Sequence, residues 1–166
     1  MAALAAAIQR DGLIIWGSSI VQSWRVCNSK TIYAGAWTAL AGANAQTSCR
    51  GYLNAWTNDI NLKWGGMAIP ASATNNLSTV NSVVGDSSGT PIPEISTECQ
   101  AFVLRTVAVT GVSAQTDVGR TQVYASNDND LTTTANQSPY VGWVVRWYSS
   151  TTCDVLFQGV INAWFG

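Results

Sequence analysis

Four consecutive residues, Asn127, Asp128, Asn129 and Asp130, set four amide and carboxylate side chains in a row, a density of oxygen that suits either a calcium ion or a turn. A calcium loop of the EF-hand kind needs glycine at its sixth position and a bidentate glutamate at its twelfth. Counted from Asp128, those positions hold Thr133 and Pro139, so the cluster reads as a hairpin turn and no metal site is expected. Glu94 and Glu98 are the other carboxylates that lie close together, and a pair of this kind does acid–base chemistry only when the fold fixes its separation. Asp117 and Asp154 sit at strand edges and read as turn caps. The chain has no histidine, the side chain that most often moves protons near neutral pH, and no G-x-S-x-G element. No catalytic residue and no cofactor is therefore expected.

The four cysteines, Cys27, Cys49, Cys99 and Cys153, are far apart, without a C-x-x-C pair or a histidine to complete a zinc site. They read as buried, reduced thiols, with two disulfides as the alternative for a particle that must survive outside a cell. Eight tryptophans are too many for the core of one small domain to be their whole explanation. Subunit interfaces and sugar platforms both use such rings, and burial in core and interfaces is the reading favoured here. Trp143 and Trp147 are four apart, which in a regular strand places them on one face.

The elements that must carry these residues are strands. In a chain of 166 residues only 10% are charged and 47% are apolar, with a net charge of −1. Its surface must therefore be uncharged and polar, or covered by other subunits. Eight scattered Lys and Arg argue against a nucleic-acid partner, and no run approaches the roughly 20 apolar residues of a membrane helix. The opening MAALAAAIQRD lacks the pattern of a secretory signal, and assembly in a cytoplasm is expected. Residues 1–12 read as an N-terminal arm or short helix, and residues 13–166 as a single β domain. LIIWGSSIVQSWRV, KTIYAGAWTALA, CRGYLNAWT, CQAFVLRTVAVTGV, TQVYAS, YVGWVVRWYSS and TCDVLFQGVI are rich in β-branched and aromatic residues, the texture of an antiparallel sandwich or barrel. The Gly pair of LKWGGMAIP marks a bend or bulge. Residues 71–97, dominated by Ser, Thr, Asn, Gly and Pro, read as one extended loop. VLFQG, at Val155–Gly159, looks like a protease-site scar but continues into apolar alternation and reads as native strand.

DVGRTQVYASNDNDLTTT followed by VGWVVRWYSSTTCDVLF resembles the C-terminal pattern of capsid decoration, or cement, proteins of tailed bacteriophages. There an Asp-Val-Gly-basic turn leads into a Val-Tyr-Ala strand, a polar turn, a Val-Gly-x-Val strand and a last strand. Asp117, Gly119, Tyr124 and Gly142 fall at the marked places, and TIYAGAWTAL and GYLNAWTNDINLKWGGMA look like the opening elements. The resemblance runs from about Thr31 to Phe157, while the segment before Lys30 and the stretch 71–97 are longer than the pattern. It implies an all-β structural protein on the outer surface of the virion, bound to the major capsid protein as a dimer or trimer, with no enzymatic activity. Capsid or subunit contacts are expected from the arm, Ala2, Ile8 and Arg10, from Trp16 and Trp24, and from Pro91, Ile92 and Pro93. The rival reading is a carbohydrate- or receptor-binding β module of a tail fibre or spike, with tryptophans as sugar platforms.

Overall fold

The computed structural model describes residues 14–15, 21–40, 53–55, 63–69, 82–85, 93–135 and 140–160. They form an all-β protein whose strands, β1 to β13, are mostly antiparallel. In the C-terminal half β9 (Phe102–Thr110), β10 (Gln122–Ala125), β11 (Leu131–Thr132), β12 (Tyr140–Ser149) and β13 (Thr152–Phe157) close into a five-stranded barrel. The order around it is β9-β11-β10-β12-β13 and back to β9, with β9–β11 the one parallel pair. Closure gives nearly every edge a partner, which explains how short strands are held here. β1 (Ile14–Ile15) runs antiparallel beside the start of β9.

The other half builds an antiparallel sheet from β2 (Val21–Arg25), β4 (Trp37–Leu40), β5 (Leu53–Ala55), β6 (Lys63–Ile69) and β8 (Glu94–Glu98), in the order β2-β8-β6-β4-β5. A two-stranded ribbon, β3 (Thr31–Tyr33) with β7 (Ser82–Val84), completes the set. Alternation decides the layering. Trp37 and Ala39 of β4, with Trp64 and Met67 of β6, join the core of the barrel, while Ala36, Leu40, Ala68 and Ile95 pack with Ile32 in a second, smaller core. All four residues of β4 are buried because both its faces are covered.

Register shifts break the two-residue period at five places among the described strands, and three of them let core side chains three apart share a face. In β6 the ladder pairs Thr38 with Gly66 and Ala39 with Trp64, so the Gly pair carries the extra residue and Trp64 and Met67 both reach the main core. Gly66 has φ +93, and a Cβ there would lie 2.3 Å from the Glu98 carbonyl oxygen, so glycine is required. In β9 Leu104 and Val107 point inward on either side of Arg105 and Thr106, both opposite Asp154. In β12 Val144 pairs with Val155 and Arg146 with Asp154, leaving Val145 as the extra residue.

Two expectations change. The stretch 71–97 is not one loop, since it holds β7 and β8; SVV and EISTE are strands whose hydroxyls make them look like loop, and Thr97 is in fact fully buried. The bulge at Val145 also separates Trp143 from Trp147: Trp143 pairs with the half-buried Leu156, whereas Trp147 lies beside Cys153 and packs on the core. The strand read into VLFQG ends at Phe157. Residues 1–12 lie outside the described residues.

Candidate functional site

The polar cluster from Asn127 to Asp130 is a joint. Residues 126–130 connect β10 to β11, with Ala125 paired to Leu131. The Asn127 side-chain carbonyl accepts the amides of Asn129 (2.8 Å) and Asp130 (2.7 Å), and its Nδ2 donates to the Asp130 carboxylate at 2.9 Å. Those bonds bend the chain so that two main-chain carbonyls point at the second sheet. Trp37 fills that socket: its amide donates to the Asp128 carbonyl at 2.8 Å, and its indole Nε1 to the Asn129 carbonyl at 3.0 Å. The ring stacks on Phe157, centroids 4.9 Å apart, and Phe157 stacks in turn on Trp64 and Phe102. Trp64 Nε1 donates to the Gln158 carbonyl at 2.9 Å. Thus the two richest rings of the sequence weld sheet to barrel. Among the described residues no group of three or more His, Cys, Asp or Glu is placed to hold a metal ion.

Asp117 organises the turn before β10. Its Oδ2 accepts the amides of Ser113 (2.8 Å) and Ala114 (3.0 Å), and its Oδ1 accepts the Thr121 hydroxyl at 2.8 Å. The Ser113 amide above all, then the Ala114 amide and Thr121 hydroxyl, hold this carboxyl at about 2, below its ordinary 3.8. Gly119, with φ +73, lets the turn double back, and its amide donates to the Val144 carbonyl at 2.8 Å. Tyr124 donates its hydroxyl to Gln122 Oε1 at 2.8 Å on the outer face of β10. Gly142 sits where β13 crosses closely: a Cβ would lie 2.2 Å from the Leu156 carbonyl oxygen. All four residues belong to one barrel wall and act in its closure.

The carboxylates paired in sequence do not meet as an acid–base pair. Glu94 and Glu98 stand at opposite ends of β8, about 13 Å apart by strand rise, Glu94 exposed and Glu98 buried with the Gln100 amide on its Oε1. Asp154 caps no turn; it lies in mid-strand, where it accepts the Thr106 amide at 2.9 Å and the Tyr148 hydroxyl at 3.0 Å. Cys27 is disulfide-bonded, which corrects the reading of four reduced thiols, while Cys99 and Cys153 are free and buried. Burial, reinforced by the charges of Asp154 and Asp117, pushes the Cys153 thiol up to about 12, so it is no nucleophile.

Of the expected contact residues, Trp24 and Pro93 fall together. β2 pairs with β8 in unbroken register, Trp24 opposite Ile95, and the Val26 amide donates to the Pro93 carbonyl at 3.1 Å. Trp24 is half-buried and donates its Nε1 to Thr97 Oγ1 at 2.9 Å. β2 is the end strand of its sheet, and among the described residues its second edge pairs with no strand. Four of its five residues are exposed, Val21 at 47%. Ala2, Ile8, Arg10, Trp16, Pro91 and Ile92 lie outside the described residues. A second cluster, not anticipated, occupies the outer barrel wall: Tyr140 and Trp143 rings 4.8 Å apart, with Gln122 opposite Trp143 and Tyr124 opposite Tyr140. Tyr140 and Trp143 are three apart and share that wall because the ladder shifts between Val123 and Tyr124, so regular strand spacing could not have paired them.

No family model, no curated protein and no solved structure matches the chain.

Proposed function

We propose that this protein is a non-enzymatic structural component of a phage virion that binds the outer surface of the major capsid protein and stabilises the shell, itself as a dimer or trimer. The reading rests on the resemblance of the segment from Asp117 to Phe157. The observation that best supports it is β2, an end strand that carries Trp24, lies against the segment of Pro93, and among the described residues pairs with no strand along its second edge. An exposed edge without proline, bulge or inward charge is a liability in a solitary protein, and a docking rail in one that assembles. Low charge suits the same role, because little surface has to be kept away from a neighbour. A cement protein needs many modest contacts repeated by symmetry, and multivalency makes them strong together. Substituting Trp24→Ala and Val21→Asp should weaken binding to heads that lack the protein, measured by co-sedimentation, while leaving the circular dichroism spectrum unchanged. Unaltered binding would remove β2 from the interface.

The second reading, a glycan-binding module of a tail fibre or spike, is favoured by the Tyr140–Trp143 pair with Gln122 alongside. Rings on an outer wall next to an amide are the components of a sugar platform. Titration with glycans while following tryptophan fluorescence separates the readings: a saturable change abolished by Trp143→Ala supports the module, and a flat response supports cement.

A further inference from the structure

The two bulges that flank Asp154 converge on one spot of the outer barrel wall. Asp154 is 5% exposed, and each of its oxygens accepts a bond, from the Thr106 amide and from the Tyr148 hydroxyl. Thr106 is held at φ +55, a left-handed conformation that a β-branched residue rarely adopts and that collects at functional surfaces. On the other side the extra residue of β12, Val145, is turned outward to 36% exposure, and Tyr148 is exposed at 40%. Two of the four large exposed hydrophobic side chains of the described residues therefore stand here. Arg146 lies over the Tyr148 ring, its guanidinium carbon 5.1 Å from the centroid. Arg146 is paired with Asp154, and Arg105 sits in the facing bulge, so the two backbones are about 10 Å apart at ordinary strand spacing. Both arginines are exposed, and neither guanidinium makes a hydrogen bond or ion pair among the described residues, the pairing of Arg146 with Asp154 being one of strand register. The carboxylate between them, Asp154, is buried and already accepts one bond on each oxygen.

We infer that Arg105, Val145, Arg146 and Tyr148 form a second docking surface that takes an acidic patch on the major capsid protein, the guanidinium groups receiving its carboxylates and Val145 with Tyr148 covering the apolar ground between. This rests on the capsid-binding reading and specifies the chemistry of the partner. Planar guanidinium groups match carboxylates in a bidentate fork, and exposed Arg and Tyr are the side chains that most often dominate interfaces. Two cations in a chain of net charge −1 are too few for a phosphate polymer, which needs a concentrated basic track. Tyr148, anchored by Asp154, fixes Arg146 in place before binding, which lowers the entropy lost on contact.

The test is co-sedimentation with heads lacking the protein, at salt from about 0.05 to about 0.5 M, where screening changes most. The double variant Arg105→Gln/Arg146→Gln should bind about tenfold more weakly at low salt, with a flatter salt dependence than the wild type. Among the described residues neither guanidinium makes a hydrogen bond or ion pair, and the Arg146 contact with the Tyr148 ring is exposed, so the variant should melt within about 4 °C of the wild type. Lys30→Gln/Arg120→Gln removes the same charge from exposed positions elsewhere and should bind as the wild type does. If the control loses as much affinity as the patch variant, net charge is responsible and the surface is refuted. Wild-type binding matched by the patch variant, or a patch variant that loses only self-association, also overturns it. Failure of the wild type to bind heads at all would instead overturn the capsid reading on which it stands.

Discussion

Replacing Trp37 by Phe tests how the two halves are joined. The substitution keeps an aromatic ring against Phe157 but removes the indole N–H that reaches the Asn129 carbonyl, and it leaves unfilled volume beside Trp64. Losing that bond should cost about 1 kcal/mol, and the missing ring atoms about 1–3 kcal/mol in a site that is fully buried. A total of about 2–4 kcal/mol corresponds to a fall in Tm of about 5–15 °C for a chain of this size. The assay is thermal unfolding followed at once by far-ultraviolet circular dichroism and tryptophan fluorescence. Because Trp37, Trp64, Phe102 and Phe157 form one core, both signals should move together in a single transition, in wild type and variant alike. A fall of less than about 2 °C, or a sheet and barrel that melt separately, would refute the joint.

Asp117 gives a pH prediction. Its carboxyl is lowered from 3.8 to about 2 in the folded protein, so the stabilisation is present above about pH 4 and disappears as pH falls towards 2. Urea midpoints of wild type and Asp117→Asn should therefore differ most at pH 5 and converge by pH 2; a gap that is constant with pH contradicts this. Gly142→Val should destabilise by at least about 2 kcal/mol, because its Cβ meets the Leu156 carbonyl, and wild-type denaturant midpoints would show the contact to be yielding. Iodoacetamide at pH 8 should leave Cys99 and Cys153 unlabelled in the folded protein and label both, but not Cys27, after unfolding without reductant. Peptide mass spectrometry reads this, and labelled Cys27 would deny its disulfide.

The sequence made the all-β class legible because β-branched and aromatic runs persist over most of its length, and the Gly pair at Gly65–Gly66 announced its bulge. The polar cluster at 127–130 was readable as a turn from residue type alone, since Asn127 can bond its own downstream amides. That the same turn receives Trp37, 91 residues earlier by its Asp128 contact, has no local signature. The bulges at Arg105–Thr106 and Val145 were invisible for a different reason: no glycine marks them, and Thr106 adopts its left-handed geometry because Asp154 holds its amide. Strict alternation consequently put Trp147 on the face of Trp143, whereas the extra residue Val145 turns it towards the core. β7 and β8 were missed because their Ser and Thr residues satisfy a strand as readily as a loop.

The central claim is attachment to a capsid, and the most direct measurement is co-sedimentation of the purified protein with phage heads stripped of it, with its solution mass determined in parallel. Saturable binding at a fixed ratio to the major capsid protein, with heads made more resistant to heat, is the predicted result. A discrete soluble oligomer that does not bind heads at any concentration would contradict it.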